Sequence, residues 1–126
     1  MQEENKKKLF LVNDDRLFLK SLEIEFMEHA DFSIKTFATG EQCVEILSQS
    51  PDLVILDYHL DGIDKTAMNG IEALDKIKIF NSEVPVVMLS SQDKIEIAVN
   101  CMHHKSSDYV VKNETAFIRL QKIIIY

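Results

Sequence analysis

The sequence has only two cysteines, Cys43 and Cys101, far apart and each inside an apolar helical pattern. That scarcity excludes a disulfide-stapled scaffold and points to buried free thiols, as suits a reducing, cytoplasmic compartment. No apolar run approaches membrane-spanning length, and residues 1–8 lead into no signal-like apolar segment, so no membrane association is expected. Basic residues are outnumbered, 14 Lys and Arg against 21 Asp and Glu, and the formal charge of -7 argues against a nucleic-acid-binding surface. No repeat, linker or low-complexity segment breaks the chain. Its 126 residues suffice for one domain, 1–126, and are too few for two ordinary ones.

What is present is a series of short apolar runs that end in polar residues. Leu53, Val54, Ile55 and Leu56 show no polar alternation, which suits a strand buried on both faces in a parallel sheet, and Asp57 follows at once. Leu9, Phe10, Leu11 and Val12 form a second such run, ending in Asn13, Asp14 and Asp15. Val84 to Leu89, with Pro85 near its start, ends in Ser90 and Ser91, and Tyr109, Val110 and Val111 end in Lys112. Residues 33–37 are half-polar and read as an edge strand.

Helical stripes lie between these runs. Phe18, Leu19, Leu22 and Phe26 form one, with Asp15 as its cap; Cys43, Val44 and Leu47 form another, behind a capping box at Thr39 and Gln42 and stopped by Pro51. Ile71, Leu74 and Ile77 give a third, Ile95, Ala98, Val99 and Met102 a fourth, and Phe117, Leu120 and Ile124 a fifth. Ile97 and Cys101 stand beside the fourth stripe, as core or as a wider apolar contact face. Alternating strands and helices imply βαβ units, right-handed crossovers and an α/β, doubly wound parallel sheet.

Parallel strands end on one edge, so Asn13, Asp14, Asp57, Ser90 and Lys112 are expected to converge where open α/β sheets place ligands. Two carboxylates with adjoining amide and carbonyl oxygens make a hard-oxygen site suited to Mg2+, completed by phosphate oxygens. A lysine supplies a compact positive charge for phosphate, and a serine hydroxyl can donate to a phosphoryl oxygen. With the metal these groups carry a net positive formal charge that attracts a phosphoryl group; without it they repel one.

Over nearly the whole chain these segments, in this order and spacing, resemble the receiver domain of two-component response regulators. The resemblance rests on Leu11 to Asp15, Val54 to Asp57, Val84 to Ser90 and Asp108 to Lys112, with an aromatic three positions before the lysine. It implies a flavodoxin-like, five-stranded sheet of order 2-1-3-4-5 with five helices. It further implies that Asp57 accepts phosphate from a histidine kinase or histidine phosphotransfer protein, and that Asp14, Asp57 and the His59 carbonyl ligate Mg2+. Lys112 then pairs with phosphoryl oxygens, and Ser90 and Tyr109 form the switch. The resemblance also allows a homodimer through the last helices.

The chain departs from the family at several positions. Asn13 stands where the first of two acids is usual, so at the metal it is expected to hold a coordinated water rather than to ligate directly, and to weaken Mg2+ binding. Asp61 replaces a proline, and the usual glycine is Gly70, thirteen residues after Asp57, so five residues are inserted beside the site. Polar residues from Asp61 to Thr66 read as a surface excursion. Lys105 and Ser106 replace Gly-Ala, leaving a non-glycine residue in a left-handed helix-ending position, and Asn113 replaces a proline.

Each residue also has a plainer reading. Asp57 alone is a loop or cap carboxylate, Lys112 a solvated lysine, Tyr109 a half-buried strand aromatic, and Ser90 a helix cap with Asp93 completing a capping box. His103 and His104 lack metal-ligand spacing and read as surface residues. Two other functions compete with the switch. One is a pseudo-receiver that binds proteins without being phosphorylated, motivated by Asn13 and the insertion. The other is a haloacid-dehalogenase-type phosphatase, disfavoured because His59 stands where its second aspartate is needed.

Overall fold

The computed structural model describes residues 6–28, 32–92 and 94–125. Five strands, β1 (Lys7–Val12), β2 (Phe32–Phe37), β3 (Leu53–Asp57), β4 (Val86–Ser90) and β5 (Asp108–Val111), alternate with five helices. The helices are α1 (Arg16–Met27), α2 (Gly40–Glu45), α3 (Gly70–Phe80), α4 (Ile95–His103) and α5 (Ala116–Ile125), and a 3-10 turn, Leu47–Gln49, follows α2. All strand pairs are parallel and the order is β2-β1-β3-β4-β5, as the resemblance implied.

Successive side chains of a strand point to opposite faces, and this period of two sorts the core into two layers. Leu9, Leu11, Ile55, Val87, Leu89 and Val110 pack against Leu19, Leu22 and Phe26 of α1 and Leu120 and Ile124 of α5. Phe10, Val12, Val54, Leu56, Val86 and Met88 pack on the other face against Cys43, Leu74, Ile77 and Cys101. With both faces covered, the central strands are apolar throughout rather than alternating.

Helix ends follow local chemistry. Asp15 accepts hydrogen bonds from the N–H groups of Leu17 and Phe18 and starts α1. Thr39 caps α2 through Gln42 N–H, but the Gln42 side chain returns to Ala38 N–H rather than to the cap residue, so the box is offset by one position. Asn69 and Glu72 form a full capping box on α3. Lys105 has φ 76°, the left-handed conformation expected of it, at a cost of about 1 kcal/mol relative to glycine.

Two expectations are corrected. Strand β4 begins at Val86 instead of Val84, because Pro85 has no N–H to give the ladder; Val84 is still buried in the preceding turn. In α4 the inward residues are Cys101, buried, and Ile97, half-buried, whereas Ile95, Val99 and Met102 are 75%, 60% and 52% exposed. The helix is apolar on two sides, and the side turned to the core is the one that carries Cys101 and Ile97. Asp93, the proposed capping partner of Ser90, lies outside the described residues.

Candidate functional site

The register of the sheet brings four strand ends together. Val12 pairs with Leu56, Asp57 with Leu89 and Ser90 with Val111, so the residues after β1, at the end of β3, at the end of β4 and after β5 share one edge. Backbone bonds tie the ends to each other: Tyr58 N–H donates to Leu89 O and Lys112 N–H to Ser90 O, both at 2.7 Å.

Asp57 is only 3% exposed, and its Oδ1 lies 3.0 Å from Lys112 Nζ. Burial pushes the Asp57 carboxyl above its ordinary range; the Lys112 ammonium pulls it back, and the nearby Asp14 carboxylate pushes it up again. Lys112 Nζ also stands 4.9 Å from the centre of the Phe18 ring, so the amine is held between a carboxylate and an aromatic face.

Asn13 is buried. Its Oδ1 accepts Asp15 N–H at 2.9 Å, which leaves the amide nitrogen Nδ2 buried with no hydrogen-bond partner among the described residues. Asp14 is half-buried and accepts Ile63 N–H on Oδ2 at 3.2 Å. Asp14, Asp57, His59 and Lys112 line one open cavity of about 640 Å³. Asn13, Ser90 and Tyr109 stand outside its lining. Ser90 is fully buried just behind it, with Oγ accepting Gln92 N–H at 3.0 Å, and the half-buried Tyr109 donates its hydroxyl hydrogen to Gln92 O.

Sequence reasoning missed four residues of this wall: Arg16, Leu17, Ile63 and Ser91. Ser91 was one position from the expected serine. Nothing in the periodicity of the sequence marks the others, since Leu17 is an exposed residue on α1 and Ile63 belongs to the insertion.

The connection between Asp57 and α3 is anchored at both ends. Leu60 is buried in the core, and Met68 N–H donates to Glu41 Oε2 at 2.9 Å. Residues 62–66 between them are exposed, as the polar composition suggested, and Asp64 accepts both the N–H and the hydroxyl of Thr66. Gly70 closes the excursion against the end of β3: its N–H donates to Tyr58 O at 2.9 Å, and a Cβ there would lie 2.3 Å from Asp57 O. Only glycine permits that approach.

Three carboxylates, Asp14, Asp15 and Asp57, face two cationic side chains, Arg16 and Lys112, around the cavity. Asp15 is engaged in capping α1, and no group of three His, Cys, Asp or Glu side chains among the described residues is placed to hold a metal. A hard divalent cation such as Mg2+ therefore fits only as one held by the two carboxylates Asp14 and Asp57 and completed by backbone and water oxygens. Nearby oxygens include the backbone carbonyl of His59 and the carboxylates of Asp14 and Asp57.

Residues 9–124 match the family described as the response regulator receiver domain. The chain belongs to that family. Among curated relatives, this receiver domain is 33% identical over 103 residues to the nitrogen assimilation regulatory protein NtrX of Azorhizobium caulinodans, covering 81% of this chain and 22% of NtrX. It is 27% identical over 100 residues to the regulatory protein LuxO of Vibrio cholerae, covering 79% and 21%. The receiver domain thus spans about a fifth of the length of these relatives. Its fold is shared with the signal receiver domain of a LuxO-type repressor protein from Vibrio parahaemolyticus, with TM-score 0.81, 21% identity and coverage of 95% and 88%. It is shared equally with a chain of the CheX–CheY–BeF3–Mg complex from Borrelia burgdorferi, with TM-score 0.80, 23% identity and coverage of 99% and 97%. The family is one of signalling domains. No helix among the described residues is long and apolar enough to cross a membrane.

Proposed function

We propose that this receiver domain accepts a phosphoryl group on Asp57 from a phosphohistidine of a histidine kinase or histidine phosphotransfer protein in the cytoplasm, and that it signals by a change of surface. The observation that carries the reading is the contact of Asp57 Oδ1 with Lys112 Nζ at 3.0 Å inside a cavity that Asp14 also lines. Asp14, Asp57 and the His59 carbonyl would hold Mg2+, with Asn13 outside the direct ligands, and the bound ion would supply positive charge for the phosphoryl oxygens.

Asp57 acts as nucleophile: a carboxylate oxygen forms the new bond to phosphorus, the P–N bond to the donor imidazole breaks, and its electron pair leaves with the imidazole. Burial makes the Asp57 carboxylate more basic, which favours it as a nucleophile, while its ion pair with Lys112 opposes protonation and keeps it charged. Lys112 then shares its protons with the phosphoryl oxygens. Ser90 Oγ turns from Gln92 N–H toward the same group, and the Tyr109 hydroxyl, bound to Gln92 O, follows the movement of that segment. The exposed Ile95, Val99 and Met102 of α4 and Ile118 of α5 give the output surface an apolar face, suited to a homodimer through the last helices.

The deciding experiment is incorporation of phosphate from a small phosphodonor in the presence of Mg2+. Wild-type protein should be labelled on Asp57 and Asp57→Asn should not; label on Asp57→Asn would overturn the assignment. A protein-binding pseudo-receiver is the second reading, favoured by Asn13, whose oxygen is already engaged by Asp15 N–H. It predicts no labelling of wild-type protein under any donor concentration.

A further inference from the structure

The insertion after Asp57 reaches the carboxylate that the proposed function gives to the metal. Ile63 N–H donates to Asp14 Oδ2 at 3.2 Å, across 49 positions of sequence. A Cβ on Gly62 would stand 3.1 Å from the same oxygen, so the backbone of Gly62 and Ile63 lies directly against it. The segment is held there from both sides, by buried Leu60 and by Met68 N–H on Glu41, while Asp64 and Thr66 fold its tip into a compact turn.

A hydrogen bond to a carboxylate is favourable because the acceptor is charged, and it draws negative charge from the oxygen it contacts. A divalent cation needs that charge and also needs access to the oxygen. The two demands oppose each other at Asp14 Oδ2. Asn13 sharpens the conflict, since it leaves the site with an amide where another carboxylate could have compensated.

We propose that the backbone of Gly62 and Ile63 is a built-in competitor for the Asp14 carboxylate, which positions Asp14 and must yield it to an incoming divalent cation, so that cation binding and release of this loop are coupled. The proposal rests on the reading of Asp14 as a metal ligand. Coupling is reciprocal: whatever holds the loop down weakens the cation, and the cation loosens the loop. Ile63 is 77% exposed and stands with Leu17, 85% exposed, on the rim of the cavity. A partner approaching Asp57 therefore meets an apolar rim whose position reports whether the cation is bound.

The test is calorimetric titration with MgCl2, combined with amide hydrogen exchange at Ile63 followed by NMR. Ile63→Pro removes the donor and should tighten Mg2+ by at least about threefold, the scale of one exposed hydrogen bond to a charged acceptor. Ile63→Ala keeps the N–H and should leave the affinity within about twofold. Deletion of residues 62–66 should reproduce the Pro result by a different route if the proline variant folds poorly. Saturating Mg2+ should speed exchange at Ile63 in the wild type, and Asp14→Ala should do so without metal. Unchanged affinity in both the Pro and deletion variants, or Ile63 exchange indifferent to Mg2+, overturns the inference. Asp14→Ala separates the two levels: if it abolishes Mg2+ binding while Ile63→Pro changes nothing, the ligand reading stands and the competition alone fails. If Asp14→Ala binds Mg2+ normally, both fall.

Discussion

Ser90 and Tyr109 are joined through the backbone of one residue: Gln92 gives its N–H to Ser90 Oγ and receives the Tyr109 hydroxyl at its carbonyl. The two side chains lie on adjacent strands, and one segment between β4 and α4 feels both. Removing either bond should alter what the other can hold. We expect Ser90→Ala and Tyr109→Phe each to cost about 1 kcal/mol in urea unfolding, and the double variant to depart from additivity by about 0.5 kcal/mol or more. Additivity within experimental error would mean that Gln92 does not connect them.

Gly70 and Gly62 make a contrast of a different kind. A Cβ at Gly70 would lie 2.3 Å from Asp57 O and 2.8 Å from Tyr58 O, both backbone atoms, so α3 must move away from β3 to admit it. Gly70→Ala should therefore destabilise the fold by about 3 kcal/mol or more. Gly62→Ala meets an exposed loop and the end of a side chain, and should cost less than about 1 kcal/mol. Chemical denaturation of both variants checks the order; equal losses would place the constraint elsewhere.

Much of this arrangement was legible beforehand, and the exceptions have physical causes. Uninterrupted apolar runs such as Leu53 to Leu56 identify buried parallel strands, and strand ends in a parallel sheet share an edge, so Asp14, Asp57 and Lys112 could be placed together from sequence. Helix α4 could not be oriented the same way. Its apolar residues cover two sides, and only the space beside β4 and β5 selects Cys101 and Ile97 over Val99 and Met102. The contacts of Phe18 with Lys112 and of Ile63 with Asp14 join residues 94 and 49 positions apart, and neither is carried by periodicity or by a local motif.

The protonation of Asp57 gives a pH prediction with a definite sign. Burial raises its folded-state pKa above the unfolded value of 3.8, so the native state holds the proton more tightly. The group's favourable contribution is complete below the unfolded pKa and is lost as pH rises through the folded one. Asp57→Asn does not titrate, and without metal its Tm should gain on that of the wild type as the pH rises from 4 to 7. Thermal melts at the two pH values check this; a gain that shrinks toward pH 7 would contradict the burial argument.

Phe18 links the packing of α1 to the chemistry of Lys112. From sequence it belongs to the inward stripe of the helix, and in the fold it is half-buried and packs against the core while its ring lies 4.9 Å from Lys112 Nζ. A cation over an aromatic face gains about 0.5–1 kcal/mol at a partly exposed site. That attraction acts on an ammonium already 3.0 Å from Asp57 Oδ1 and narrows the directions in which its long stem can swing. Phe18→Leu keeps the apolar contact and removes the ring, so it should slow phosphate incorporation at Asp57 by about two- to fivefold while changing stability little. Phe18→Tyr keeps the aromatic face and should retain the wild-type rate. Labelling time courses for the three proteins decide the matter: a Leu variant as fast as wild type would mean that the ring serves only the core, whereas slow Leu and slow Tyr together would implicate packing of α1 rather than the face presented to Lys112.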